Sequence, residues 1–188
     1  AVPGPTVRRV AKEGEVGITP GVRSGRGGHG RAVTDLKLYQ DLGRWGAAGT
    51  TNPDLLIVGI DGNCSTFARA KKAIVAATHT PFSDRLVVAC PDPHVERWYL
   101  ADPESFKNVV GHRPTIAKRK CAQDYYKAAL AKVVRKAGHP ATLGGIEFAQ
   151  ELVERMDLYR AGRNERSLKT FVDDLRGRLR TLRQGEGG

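Results

Sequence analysis

Two uninterrupted apolar runs set the first expectation. One is Asp54-Leu55-Leu56-Ile57-Val58-Gly59-Ile60-Asp61, the other Arg85-Leu86-Val87-Val88-Ala89-Cys90. Both have strand length and lack polar alternation, the pattern of parallel strands buried on both faces. Asp61-Gly62-Asn63 breaks the first run, and Ser65 or Thr66 can cap a helix reaching about Thr78. Pro91-Asp92-Pro93 ends the second run, and Pro93 suits the first turn of a helix through Glu96, Trp98 and Leu100. Strand, helix, strand, helix predicts right-handed crossovers and a parallel sheet covered by helices.

The flanks read as follows. Val7, Val10 and Ala11 predict a helix over 6–13, and Val16-Gly17-Ile18 predicts a short strand. Residues 23–30 form a basic, glycine-rich loop, a helix is expected over 32–44, and 46–53 is a turn-rich connector. Further helices are predicted over 122–136, 145–156 and 167–182, with Gly138-His139-Pro140 and residues 161–164 as separators. The expected organisation is an α/β core over 6–110 and a helical region over 111–184 packed on it. The chain opens on Ala1 rather than Met, and residues 1–5 read as an irregular lead-in, so its natural beginning is expected to be missing or altered.

Charge changes the picture more than length does. The 188 residues hold 31 Lys and Arg against 20 Asp and Glu, a net charge of +11. Phosphate polymers are the commonest partners of such a surface, because each neutralised phosphate releases counterions. DNA or RNA is therefore the expected partner. Cys64, Cys90 and Cys121 make an odd set with no Cys-x-x-Cys spacing, which argues for reduced thiols and a cytoplasmic setting over a disulfide framework or zinc site. No apolar run has the length of a bilayer span, and no signal-peptide core opens the chain, so no membrane partner is expected.

Ligands of parallel α/β sheets bind beyond the carboxyl ends of the strands. Asp61 and Asn63 follow the first predicted strand, and Asp92, Glu96 and Asp102 follow the second. Carboxylate oxygens are natural ligands of Mg²⁺ (or Mn²⁺), which also takes phosphate oxygens and can activate water for phosphodiester cleavage. Asp61, Asp92 and Glu96 are the candidate catalytic acids, with Asp61, Asn63 and Glu96 as candidate metal ligands. Asp residues at strand ends also cap helices and make turns, so each acid alone has an ordinary structural explanation. His94 follows the second strand end and can serve proton transfer.

Basic residues supply phosphate candidates. Arg26, His29 and Arg31 belong to the glycine-rich loop, which lacks Gly-Lys-Ser/Thr and so is not a P-loop. Lys118, Arg119 and Lys120, followed by Lys127, Lys132, Arg135 and Lys136, form the densest basic stretch. Either set also fits a linker or a solvated helix face. Trp98, next to Val95 and Leu100, is expected in the core.

The run from Leu56 to Asn63, followed by Val88 to Asp102 with its Glu96-x-Trp98-x-Leu100-x-Asp102 spacing, resembles the Toprim-type (topoisomerase–primase) proteins. It is most similar to the uncharacterised branch found beside ATPases in phage-defence gene sets, and the resemblance covers roughly residues 7–157. It implies a Rossmann-like parallel sheet, a Mg²⁺-dependent nuclease or nuclease-related subunit, and an ATPase partner. Two positions depart from that pattern. No strand ending in glutamate precedes Val7, and Asp61-x-Asn63 stands where the family has Asp-x-Asp. The rival expectation is a non-catalytic module that binds nucleic acid or a protein partner. A homo-oligomer fits either. A flavodoxin-like or receiver-type domain would share the sheet but needs five strands, which the sequence does not display.

Overall fold

The computed structural model describes residues 4–23, 29–44, 52–63, 65–115, 117, 119, 122 and 124–185. Both apolar runs are strands, β1 (Leu56–Gly59) and β2 (Leu86–Ala89). They pair in parallel, with Leu56 opposite Leu86 and Gly59 opposite Ala89. The helices are α1 (Gly4–Glu13), α2 (His29–Arg44), α3 (Phe67–Ala77), α4 (Thr80–Ser83), α5 (Val95–Tyr99) and α6 (Pro103–Val110). α7 (Tyr125–Lys136), a 3₁₀ turn (Ile146–Phe148), α8 (Ala149–Arg155), α9 (Leu158–Asn164) and α10 (Arg166–Gly185) complete the order.

Alternation along the strands sorts the apolar side chains onto two faces. Leu56, Val58, Leu86 and Val88 pack with Leu36 of α2 and with Ala70 and Ile74 of α3. Ile57, Val87 and Ala89 join a larger cluster with Val10, Trp98, Phe106, Leu130, Leu152 and Phe171, drawn from α1, α5, α6, α7, α8 and α10. Helices therefore cover both faces of the strand pair. The chain is mixed α/β and mostly helical, and its sheet has two strands among the described residues. Burial on both faces holds for β2. β1 is only half-buried and Gly59 is exposed, because β2 is its sole described strand neighbour.

Several expectations need correction. Residues 16–18 form no strand. The Val16 N–H bonds back to the Ala11 carbonyl (3.0 Å) and the Glu15 N–H to Lys12 (3.1 Å), which is a Schellman closure of α1. Glu15 takes the left-handed turn position (φ 55°), one place beyond Gly14. Gly4 and Pro5, expected in an irregular lead-in, open α1. The separator expected over 161–164 is the second half of α9. α4 and α6 were not foreseen. Both carry proline at their start, and Asp102 caps α6 by accepting the Ser105 N–H.

Two polar side chains tie the layers together. Gln40 is fully buried; its amide donates to the Leu36 and Ala77 carbonyls (3.1 Å each) and accepts the His79 N–H (2.7 Å), holding α2 against the end of α3. Arg9 of α1 donates to the Val153 and Met156 carbonyls at the end of α8, satisfying groups that a helix end leaves open.

Candidate functional site

The parallel pairing brings the two strand-end loops together. The Ile60 N–H reaches Ala89 O (2.9 Å), the Gly62 N–H reaches Pro91 O (2.7 Å) and the Asn63 N–H reaches Pro93 O (3.0 Å). Gly62 is required here. A Cβ at that position would lie 2.9 Å from the Pro91 carbonyl oxygen, so the glycine lets the two strand-end loops approach closely. Asn63 takes a left-handed conformation (φ 49°), which asparagine tolerates.

Asp61 and Asp92 sit in the two strand-end loops that these bonds join, and Glu96 in the first turn of α5. The Cys90 thiol is pushed up to about 12 by burial, then by Asp92 and Asp61. The Tyr99 hydroxyl is pushed up to about 12 by burial, then by Glu96 and Asp61. Asp61 bears on both groups, Asp92 on Cys90 and Glu96 on Tyr99. Asp61 is 41% exposed, and its carboxylate lies 3.5 Å from His94 Nδ1. Glu96, in the first turn of α5, is half-buried.

Much of the remaining charge at this edge is engaged within the protein. The Arg97 guanidinium donates to the Asp92 carbonyl (2.7 Å), forms an ion pair with Glu165 (2.6 Å) and stands over the Tyr126 ring (5.7 Å). Ser167, opening α10, uses its hydroxyl fully: it donates to Glu165 (2.8 Å) and accepts the Trp98 indole N–H (2.8 Å) and the Asp92 N–H (3.2 Å). Burial raises the Glu165 pKa, opposed by Ser167 and Arg97. Trp98 is core, as expected, and stacks on Phe171 at 5.3 Å.

Asp102, grouped by sequence with the acids of this edge, is a structural residue. Its side chain is fully buried and accepts two hydrogen bonds from Arg160 (2.6 and 2.9 Å) and one from the Asp157 N–H (2.9 Å). Burial alone would raise its pKa, but the bonds from Arg160, Ser105 and Asp157 outweigh it and hold the value at about 2.

Mg²⁺ takes one or two carboxylates and fills its shell from waters and phosphates. Among the described residues no three His, Cys, Asp or Glu side chains converge on a point that would hold a metal ion. Asp61 faces His94, and Asn63 brings no charge. The described residues do not build a metal cage of their own.

The basic candidates separate. Arg31 is exposed on α2 and pairs with Asp35 at 2.9 Å. Arg119 places its guanidinium 5.1 Å from the Tyr125 ring centre, and its N–H donates to the Tyr126 hydroxyl (3.0 Å). Arg26, Lys118, Lys120 and the side chain of His29 lie outside the described residues. Sequence reasoning missed Glu165 and Ser167. A serine at a helix start was visible, but its reach to Asp92, 75 positions away, was not.

Comparison with protein-family models, with curated proteins and with solved structures returned no match. No helix among the described residues is long and apolar enough to cross a membrane.

Proposed function

We propose that this chain is a nucleic-acid-binding protein, acting on DNA or RNA, in which the Toprim-like strand edge is a degenerate site. The observation that carries the proposal is the net charge of +11 over the 188 residues. Such an excess of cations draws phosphate polymers by counterion release. The edge fits the degenerate half of the proposal. Asp61 stands 3.5 Å from the His94 ring, Asn63 replaces a second acid, and Arg97 is committed to Glu165.

One observation favours a second reading, a Toprim-like metal-dependent nuclease working with an ATPase in phage defence. Asp61 follows β1, and Asp92 and Glu96 follow β2, in the strand-end loops and first helical turn at the carboxyl edge, where α/β proteins bind ligands. The two readings part in one experiment. Plasmid and single-stranded substrates are incubated with the protein in Mg²⁺ or Mn²⁺, beside Asp61→Ala and Glu96→Ala. Salt-sensitive retention without cutting is the expected result. Metal-dependent cutting that both substitutions abolish would establish the nuclease instead.

A further inference from the structure

One surface groove gathers cations without acids. It lies between the segment after α6 and the outer face of α7, and has a volume of about 290 Å³. That is close to the lower end of ligand pockets, about 300 Å³. His112, Arg113, Tyr125, Lys132 and Lys136 are its chemically active lining, and among the described residues no carboxylate lines it. A second groove, about 190 Å³, is lined by Asp54 and Asp84 as well as Arg85 and Arg178, so its charges offset one another.

Lys132 and Lys136 stand one helical turn apart on the exposed side of α7, whose inner side buries Tyr126, Leu130 and Val134. Among the described residues neither lysine pairs with a carboxylate. Arg113 holds Glu104 at 2.7 Å, but both side chains are well exposed, so the pair is weak and a phosphate can displace it. Tyr125 is fixed on the same wall. Its ring meets Tyr126 edge-on at 5.0 Å, its hydroxyl accepts the Ala117 N–H (3.2 Å), and Arg119 covers one side. A tyrosine beside a planar guanidinium is the kind of surface on which bases stack.

From this arrangement we infer that the groove binds single-stranded nucleic acid, with Lys132, Lys136 and Arg113 on the phosphates and Tyr125 beneath an unpaired base. The inference rests on the reading of the chain as a nucleic-acid binder and names its site and strandedness. A duplex presents phosphates to the same lysines but keeps its bases stacked inside, so Tyr125 distinguishes the two forms.

The test is fluorescence anisotropy in EDTA, which separates binding from any cutting. Labelled single-stranded DNA, single-stranded RNA and a duplex of equal length are titrated with the full chain. Lys132→Glu with Lys136→Glu is expected to weaken single-strand binding by about tenfold or more. Lys37→Glu with Lys72→Glu makes the same charge change on exposed positions of α2 and α3 and is expected to cost less than about threefold. Tyr125→Leu should narrow the preference for single strands, and Tyr125→Phe, which keeps the ring, should preserve it. Whichever single strand binds tighter identifies the sugar. Equal losses in the two charge-reversed proteins, or an unchanged preference in Tyr125→Leu, would overturn the groove while leaving nucleic-acid binding intact. A wild-type protein that binds no polymer would overturn the broader reading as well.

Discussion

The edge of the parallel strands and the groove on α7 are both strongly polar, yet they use charge in opposite ways. At the edge, much of the charge is turned inward: Arg97 meets Glu165, and nearby Arg160 meets Asp102. In the groove, Lys132 and Lys136 face solvent with no carboxylate among the described residues to neutralise them. Charges matched within the fold order loops and cap helices. Unmatched charges cost little on an exposed helix and remain available to an outside anion. A cluster of chemistry-bearing residues in sequence therefore marks a ligand site only where the fold has not already consumed it.

The sharpest way to break this contrast is to remove a matched charge. Asp102→Ala removes the buried carboxylate that accepts from Arg160 and from the Asp157 and Ser105 N–H groups, and should destabilise the protein by about 3 kcal/mol in urea unfolding. Lys132→Ala should shift the same unfolding curve by no more than about 0.5 kcal/mol.

The Asp102 pair also carries a pH signature. Its folded pKa of about 2 lies below the ordinary value of 3.8. The stability it contributes, about 2 kcal/mol, is present above pH 4 and lost as pH falls from about 4 through about 2. Urea midpoints measured across that window should fall in the wild type, and Asp102→Asn should remove that part of the slope.

Ser167→Ala is the next test. It removes the acceptor shared by the Trp98 and Asp92 N–H groups and should cost about 1 to 2 kcal/mol. Near-ultraviolet circular dichroism should report the loosened Trp98. An unchanged spectrum and stability would mean that the edge is not organised from α10.

The smallest effect lies in the groove. Lys132→Ala should weaken single-strand binding modestly and lower the salt-dependence slope by about 0.7, one phosphate contact. An unaltered slope would remove Lys132 from the phosphate path.

Local signals were the legible ones. The apolar runs of β1 and β2 announced parallel strands, and Thr66 was readable as the cap of α3, where it accepts the Arg69 N–H. Val16 misled because an apolar residue closing a helix resembles one starting a strand; only the bond back to Ala11 distinguishes them. β1 looked wholly buried because its composition matches β2, whereas burial depends on which neighbours cover it. At the candidate site, parallel pairing puts Asp61 and Asp92 in adjoining strand-end loops, which the two apolar runs already implied. The capture of Asp102 by Arg160 and of Arg97 by Glu165 did not, since those partners lie far apart along the chain. In the groove, Lys132 and Lys136 were visible as part of a basic stretch. That Arg113 and Tyr125 join them is a product of folding.

The most direct test follows backbone amides by NMR as a single-stranded oligonucleotide is titrated into the labelled protein in EDTA. Shifts should concentrate at Arg113, Tyr125, Lys132 and Lys136, while Gly62, Asn63 and Asp92 stay in place. Shifts concentrated at the strand edge, with α7 unmoved, would contradict the assignment of inward charge to folding and outward charge to binding.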